Sequence, residues 1–289
     1  MTTTSPVDGA GLLDEVEAFH RRFNAFPTPA ASVAVALWSA HTHLLDAFES
    51  TPRLAFFSPG PGSSTTQGLA ICGTLVPQPM MAADTSPAAL LRAVAGLDGG
   101  RPTILFHEID ALFESKTRGA EELRGLVIAG HRRTGVSYRS EKDGGQQTVQ
   151  AFPPYAAMAM ASLGRLPEAV LTRSVVIRMH RPDPNEHVEA FRARIHKPEG
   201  HALRDRLAAW ADSVRDRAAG AFPEMPDGVI DPSAELWEPL LAVADVAGGD
   251  WPRRAREACT ALAPLAARAS LSTRPHQTAT NTQEEKNAA

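Results

Sequence analysis

A proline- and glycine-rich loop links a short apolar segment to a helical pattern in the N-terminal part of the chain. In the phosphate-binding pattern G-x-x-x-x-G-K-[ST], backbone N–H groups and a helix N-terminus hold the phosphates, the lysine adds positive charge, and the hydroxyl binds Mg²⁺. Here Pro59, Ser64 and Thr65 occupy the positions of the first glycine, the second glycine and the lysine. Gly62 and Thr66 retain the pattern. The loop therefore has the frame of a phosphate site without its cation.

A second candidate group follows the apolar segment Thr103–Phe106, which runs into His107 and Glu108. In phosphate sites of this kind a strand ends in Asp-Glu, because the Asp positions Mg²⁺ and the Glu can activate the attacking water. His107 stands at the Asp position, and a neutral imidazole prefers softer metals than Mg²⁺. Glu108 is the candidate catalytic base, and Asp110 is a further carboxylate near the cofactor. ATP and Mg²⁺ are thus the candidate cofactors of a site that has lost several ligands.

The elements that must position these residues alternate between strand and helix patterns. Apolar segments of strand type are separated by stretches with helical spacing, one of them over residues 186–196. Thr28-Pro29 and Ser86-Pro87 predict the starts of two further helices. Such alternation predicts an α/β core, in which a parallel sheet is sandwiched by helices. The predicted strands cover residues 53–58, 80–83, 102–106, 155–162 and 173–179.

The chain divides into four predicted parts. Residues 1–10 are a flexible lead, and residues 11–181 form the α/β core, which begins with two helical patterns. Residues 182–270 form a helical C-terminal subdomain, a lid on the core. Residues 271–289 are polar and lack periodicity, so we expect a disordered tail.

Composition narrows the classes of function. The 289 residues are 43% hydrophobic and 21% charged, which is typical of a globular protein. A net charge of −4 excludes a globally basic nucleic-acid clamp, although a local basic patch is compatible with it. Cys72 and Cys259 lie far apart, and no cysteine or histidine spacing predicts a metal site. Neither a signal-peptide pattern nor a membrane-spanning apolar run is present, so we expect a cytoplasmic protein without membrane contact.

Five segments carry a resemblance to a known family: residues 50–59, 103–110, 121–133, 166–179 and 200–210. In these segments the chain resembles a family of P-loop proteins of the AAA+ type and of unknown function. Its members occur in actinobacteria, their phages and mobile elements, and are often described as helicase- or primase-associated ATPases. Such a resemblance implies an AAA+-like P-loop core with a helical C-terminal lid.

Roles for further residues follow from this resemblance. Ser162 would be a polar sensor of the γ-phosphate, and Arg173 would be an arginine finger that reaches the nucleotide of a neighbouring subunit. A homo- or hetero-oligomer with related P-loop subunits is implied as well. Family members usually carry Gly-Lys-Thr at Ser64–Thr66 and Asp at His107, so both motifs are degenerate here.

A predicted hairpin over residues 135–152 turns at Asp143-Gly144-Gly145, a sequence typical of tight turns. It resembles the inserted hairpin with which DNA-translocating relatives touch DNA. By this resemblance Arg139 and Lys142 would be the contact residues and would neutralise phosphates.

Three functions stay open at this point. The first is a degenerate P-loop subunit that binds nucleotide weakly or does not hydrolyse it, linked to mobile elements, phages or DNA replication. The second is an active ATP-dependent DNA translocase or helicase-type NTPase that uses Thr66, Glu108 and Arg173. The third is a truncated, non-functional remnant. Enzymatic activity is left open because Thr65 and His107 replace the lysine and the Mg²⁺-binding aspartate.

Overall fold

The computed structural model describes residues 8–58, 64–82, 85–95, 101–143, 146–164, 166–182 and 186–271. Seven strands lie in these parts of the chain. They are β1 (Arg53–Phe57), β2 (Pro79–Met81), β3 (Thr103–Phe106), β4 (Ser137–Asp143), β5 (Gln146–Phe152), β6 (Met158–Ser162) and β7 (Ser174–Arg178).

Helices account for most of the remaining described residues. A short 3₁₀ helix, Thr42–Ala47, follows the second α-helix. The α-helices are α1 (Gly9–Phe23), α2 (Pro29–His41), α3 (Thr65–Leu75), α4 (Pro87–Val94), α5 (Ile109–Glu114), α6 (Arg118–Ala129), α7 (Glu168–Leu171), α8 (Ala193–Ala219), α9 (Ser233–Ala247) and α10 (Trp251–Leu271). In the described parts of the chain, no helix combines the length and apolarity that crossing a bilayer requires.

Five strands form one sheet in the order β2-β3-β6-β1-β7, and every neighbouring pair is parallel. The other two strands, β4 and β5, pair antiparallel in a separate hairpin. This arrangement confirms the predicted α/β class with a parallel sheet.

Both faces of the sheet are covered, as an all-parallel sheet requires. On one face, Leu54, Phe56 and Ile177 pack in a core with α1, α2, α3 and α8 to α10. On the other face, Ala55 and Val176 pack with α4, α6 and α7. Because both faces are buried, the strands are continuously apolar rather than alternating, and periodicity alone does not separate them from short buried helices.

Four helices begin at a side-chain cap. Each capping oxygen accepts a hydrogen bond from the backbone N–H three residues further on, which satisfies one of the free donors of the first turn. Thr28 and Ser86 confirm the predicted starts of α2 and α4, each followed by proline in the first turn. The four caps are Asp8 (3.1 Å), Thr28 (3.3 Å), Ser86 (3.2 Å) and Thr117 (3.3 Å).

In the helical layer, α1 and α2 pack with α8, α9 and α10 around four buried tryptophans, which are at most 1% exposed. Trp38 lies in α2, whereas Trp210, Trp237 and Trp251 lie in α8, α9 and α10. The indole N–H of Trp38 donates to the carbonyl of Pro52 at 2.9 Å, which fixes α2 against the start of β1. The four tryptophans are therefore part of the hydrophobic core.

The helical layer contains helices from both sides of the predicted boundary between residues 181 and 182. Helices α1 and α2 belong to the predicted core of residues 11–181, yet they pack against α9 and α10 of residues 182–270. The two parts are consecutive in sequence but share one apolar core. Residues 1–7 of the predicted lead and residues 272–289 of the predicted tail lie outside the described residues.

The helix predicted over residues 186–196 is wrong for residues 186–192, because α8 begins at Ala193. Residues 186–192 have no regular secondary structure and contact the end of α1. There the N–H of Glu189 donates to the carbonyl of Arg22 at 2.9 Å, and the carboxylate of Glu189 pairs with the same arginine. Phe191 packs edge-on against Phe23 at 5.1 Å between ring centroids. These contacts join residues that are far apart in sequence, so the local spacing of apolar residues cannot predict them.

Candidate functional site

The connections of the sheet diverge at β1 and β6. From β1 the chain crosses to β2 on one edge, whereas from β6 it crosses over β1 to β7 on the other edge. β1 and β6 are direct neighbours, with Phe57 opposite Ser162. Ligands of open α/β sheets bind outside the carboxyl ends of strands at such a topological switch point. We call this place the switch-point crevice.

Helix α3 begins at this crevice, at Thr65, eight residues after β1 ends at Phe57. The backbone N–H of Ser58 donates to the carbonyl of Ser162 at 3.1 Å, so the two strands stay paired up to the crevice. Ser64 precedes α3 without a side-chain cap, and its carbonyl accepts the N–H of Gly68 at 2.8 Å. Free N–H groups of a first helical turn favour anions. Gly62 lies outside the described residues.

The two threonines of the predicted phosphate frame lie in different environments. Thr65 is 3% exposed, whereas Thr66 is exposed at the start of α3. Gly68 faces the ring of Phe56, where an added Cβ would lie 3.1 Å from a ring carbon. Close packing of α3 on β1 thus holds the helix start beside the strand end. The lysine position is filled by a small, neutral, buried side chain.

The carboxylates after β3 are tied to the crevice through β6. Asp110 accepts a hydrogen bond from the backbone N–H of Gly164 through Oδ2 at 2.9 Å. Its other oxygen, Oδ1, is buried and without a protein partner among the described residues. The hydroxyl of Ser162 donates to the carbonyl of Gly164 at 3.0 Å. Asp110 and Ser162 therefore meet at one loop.

Glu108 has an unusual backbone for a residue with a side chain. Its φ of 49° and ψ of 47° lie in the left-handed region, which costs a non-glycine residue on the order of 1 kcal/mol. The residue is the N-cap of α5, makes no capping bond, and exposes its carboxylate. His107 beside it is half-buried. The sharp turn places an exposed acid at the carboxyl end of β3, one strand away from β6.

Arg173 lies at the other end of the sheet. Its carbonyl accepts the N–H of Arg53, the first residue of β1, at 2.9 Å. β1 spans about 13 Å at the usual rise of a strand, so this residue is far from the switch-point crevice of its own chain. Its Nε donates to His131 at 3.2 Å. Ser64 and Asp110 thus lie at the carboxyl ends of the strands, near the crevice, whereas Arg173 lies at the amino ends.

The hairpin residues are separate from both places. Arg139 pairs with Gln150 and Lys142 with Gln147 in the β4–β5 ladder, which is not part of the main sheet. Gly144 and Gly145 lie outside the described residues. DNA contact by this hairpin stays a prediction.

Two features of the molecule escape sequence reasoning. The bond between Asp110 and Gly164 joins residues 54 positions apart, and its only signal is a lone glycine after an apolar segment. The contact between His131 and Arg173 joins residues 42 positions apart. In the sequence, His131 is visible only as part of a positive run at a helix end.

The fold and crevice together define a mixed α/β protein with an open parallel sheet. Residues 178–277 match a family described as a protein of unknown function, DUF3631. This match covers α8, α9 and α10 and, of the sheet, only the last residue of β7, so it concerns the helical layer.

One curated relative is an uncharacterized 28.9 kDa protein in the xis 5′ region of Saccharopolyspora erythraea. It is 45% identical over 89 residues, which are 31% of this chain and 33% of the relative. The chain therefore spans about a third of the length of the curated relative it matches.

Proposed function

We propose that the chain is a degenerate AAA+-like P-loop subunit that binds a nucleoside triphosphate weakly and hydrolyses it inefficiently or not at all. The observation that supports this most is the switch-point crevice, with α3 starting just after β1. A strand, a glycine-containing loop and a helix in this order are the context that a P-loop requires. Glu108 and Asp110 follow β3, the strand beside β6, at the same carboxyl end of the sheet.

Weak binding follows from the side chains that face the proposed phosphates. At the lysine position, Thr65 is neutral and buried. At the aspartate position, His107 supplies no negative charge for Mg²⁺. Phosphoryl transfer depends on positive charge that stabilises the transition state, and Arg173 lies at the amino ends of the strands, away from the crevice of its own chain. Glu108 alone cannot replace these groups.

A mobile-element setting is part of the proposal. Its support is the curated relative, whose printed name refers to an xis 5′ region. Within such a setting the chain would act as an assembly or regulatory subunit rather than as a motor.

The decisive experiment compares the wild-type chain with Thr65→Lys/His107→Asp in a thermal-shift titration with MgATP. A ligand that binds the native state must raise the melting temperature. We expect little shift for the wild type, and at least about tenfold tighter binding for the double variant. Removing the hydroxyl with Thr66→Val in the double variant should abolish the gain.

Two results would contradict the proposal. Equal affinity of both proteins would show that these positions do not face a phosphate. Wild-type turnover that Glu108→Gln abolishes would instead support an active NTPase, the alternative that keeps Glu108, Asp110 and Ser162 in use.

A further inference from the structure

A cavity of about 260 Å³ lies at the amino ends of β1 and β7, opposite the switch-point crevice. The start of β1, the turn after α6, the loop before β7 and the first turn of α9 form its wall. Pro52, Pro232 and Leu236 give this wall apolar surface, while His131 and Arg173 give it polar groups. We call it the basal cavity.

Arg173 lines the basal cavity, and Arg53 directly follows the lining residue Pro52. Neither guanidinium group is paired with a carboxylate among the described residues. Arg53 is 1% exposed and donates to two main-chain carbonyls, at 2.5 and 3.1 Å. Arg173 donates to His131 through Nε and to a main-chain carbonyl through Nη1. A buried charge without a counter-ion is costly, and half-buried Arg173 lies close enough to Arg53 to repel it.

The remaining charges at the cavity largely cancel. Arg132 holds Glu235 in a two-point ion pair, with N–O distances of 2.6 and 2.5 Å. This arginine is the main reason why the pKa of the Glu235 carboxyl is lowered. Exposed Asp231 adds a weaker attraction to Arg132. Glu235 also attracts Arg173 from a distance, but among the described residues neither Arg53 nor Arg173 has a direct ion pair.

His131 fixes the orientation of Arg173. Its Nδ1–H lies 2.9 Å from the carbonyl of Ile128, so the neutral ring presents the lone pair of Nε2 to Arg173. Burial lowers the pKa of His131 to about 4, and the charges of Arg53 and Arg173 act in the same direction. The imidazole is thus neutral at physiological pH. Of the Arg173 nitrogens, Nη2 has no acceptor among the described residues.

We propose that the basal cavity binds a small organic or inorganic oxyanion, whose carboxylate or phosphate group is seated on Arg173. An oxyanion would accept a hydrogen bond from the free Nη2 of this guanidinium and offset the charge of Arg53. The apolar residues Pro52 and Leu236 fit a short hydrocarbon body beside the charged group. This proposal is independent of nucleotide binding at the crevice.

The test is isothermal titration of the full chain with two probes, inorganic phosphate and isobutyrate. Arg118→Gln is the matched control, because Arg118 is 91% exposed on α6 and outside the cavity. We expect Arg173→Gln to weaken binding at least about tenfold and the control to leave it unchanged. Tighter binding of isobutyrate would identify a carboxylate ligand, and tighter binding of phosphate a phosphate ligand.

Failure of both probes to bind at up to about 10 mM would overturn the proposal. So would binding that survives Arg173→Gln but is lost in Thr66→Val, because that site would be the crevice.

A second pair of variants covers the case in which Arg173→Gln fails to fold. Thr172 lines the cavity, so Thr172→Glu would supply an internal carboxylate and Thr172→Gln its neutral match. We expect the glutamate variant to melt several degrees higher and to exclude both probes. If Thr172→Glu and Thr172→Gln had equal melting temperatures and bound the probes equally, the cavity would have no positive charge in need of a counter-ion, and the proposal would be wrong.

Discussion

At the scale of single residues, the crevice depends on the bond between Asp110 and Gly164. A Cβ at Gly164 would lie 2.8 Å from Oδ2 of Asp110, so alanine there must displace the carboxylate. We expect Gly164→Ala and Asp110→Ala each to destabilise the fold by about 1 kcal/mol, the usual net value of one hydrogen bond. Urea unfolding would measure both.

A double-mutant cycle separates this bond from other effects of the two substitutions. If both variants lose the same interaction, the pair Asp110→Ala/Gly164→Ala should be no less stable than the worse single variant. Full additivity would show that the two residues act independently and that the crevice is not held together by this contact.

At the scale of elements, the contact between α8 and α3 is set by Gly200. An added Cβ would lie 2.2 Å from the hydroxyl oxygen of Thr74 and 2.6 Å from its Cβ. Because Thr74 is buried on α3, we expect Gly200→Ala to cost about 1–3 kcal/mol despite the better helix propensity of alanine.

Gly125 in α6 provides the matched control for that substitution. An added Cβ there meets no atom within 4 Å, so Gly125→Ala should stabilise the protein by about 1 kcal/mol. Chemical denaturation of both variants checks the opposite signs. A stabilising Gly200→Ala would mean that α8 does not approach α3 as closely as described.

The sequence predicts single helices and strands better than it predicts how they pack. Caps at Thr28 and Ser86 and the apolar strands are local signals, and local chemistry places them correctly. The passage of α8 through Pro198 and Gly200 is not local, because it depends on packing against α3. The loop that precedes α3 is likewise predicted from Ser64 and its neighbours in sequence. The order of the strands and the bond to Gly164 arise only from the tertiary fold.

At the scale of the whole molecule, stability should depend on pH through buried histidines in the helical layer. His20 and His41 are 0% exposed, and burial lowers the pKa of each to about 3. Each ring bonds a hydroxyl instead of a carboxylate, at Ser39 and Thr51. The folded chain therefore keeps both rings neutral far below the pH at which the unfolded chain protonates them.

The direction follows from proton linkage. A histidine whose folded pKa lies below the unfolded value of 6.5 contributes its full stability above pH 6.5, and that stability is lost as pH falls toward the folded pKa. Between pH 6.5 and 5.5, each of the two rings should lower the free energy of unfolding by about 1 kcal/mol. Urea unfolding at these two pH values measures the sum.

The variant His20→Gln/His41→Gln should reduce this loss by about 2 kcal/mol, whatever its own stability at neutral pH. The quantity compared is the difference between the two pH values, so a general loss of packing cancels. His187→Gln is the control, because that side chain is exposed in the fold. An unchanged pH dependence in the double variant would mean that acid opens the helical layer at other groups, so that α1 and α2 would not depend on neutral imidazoles for their packing against the C-terminal helices.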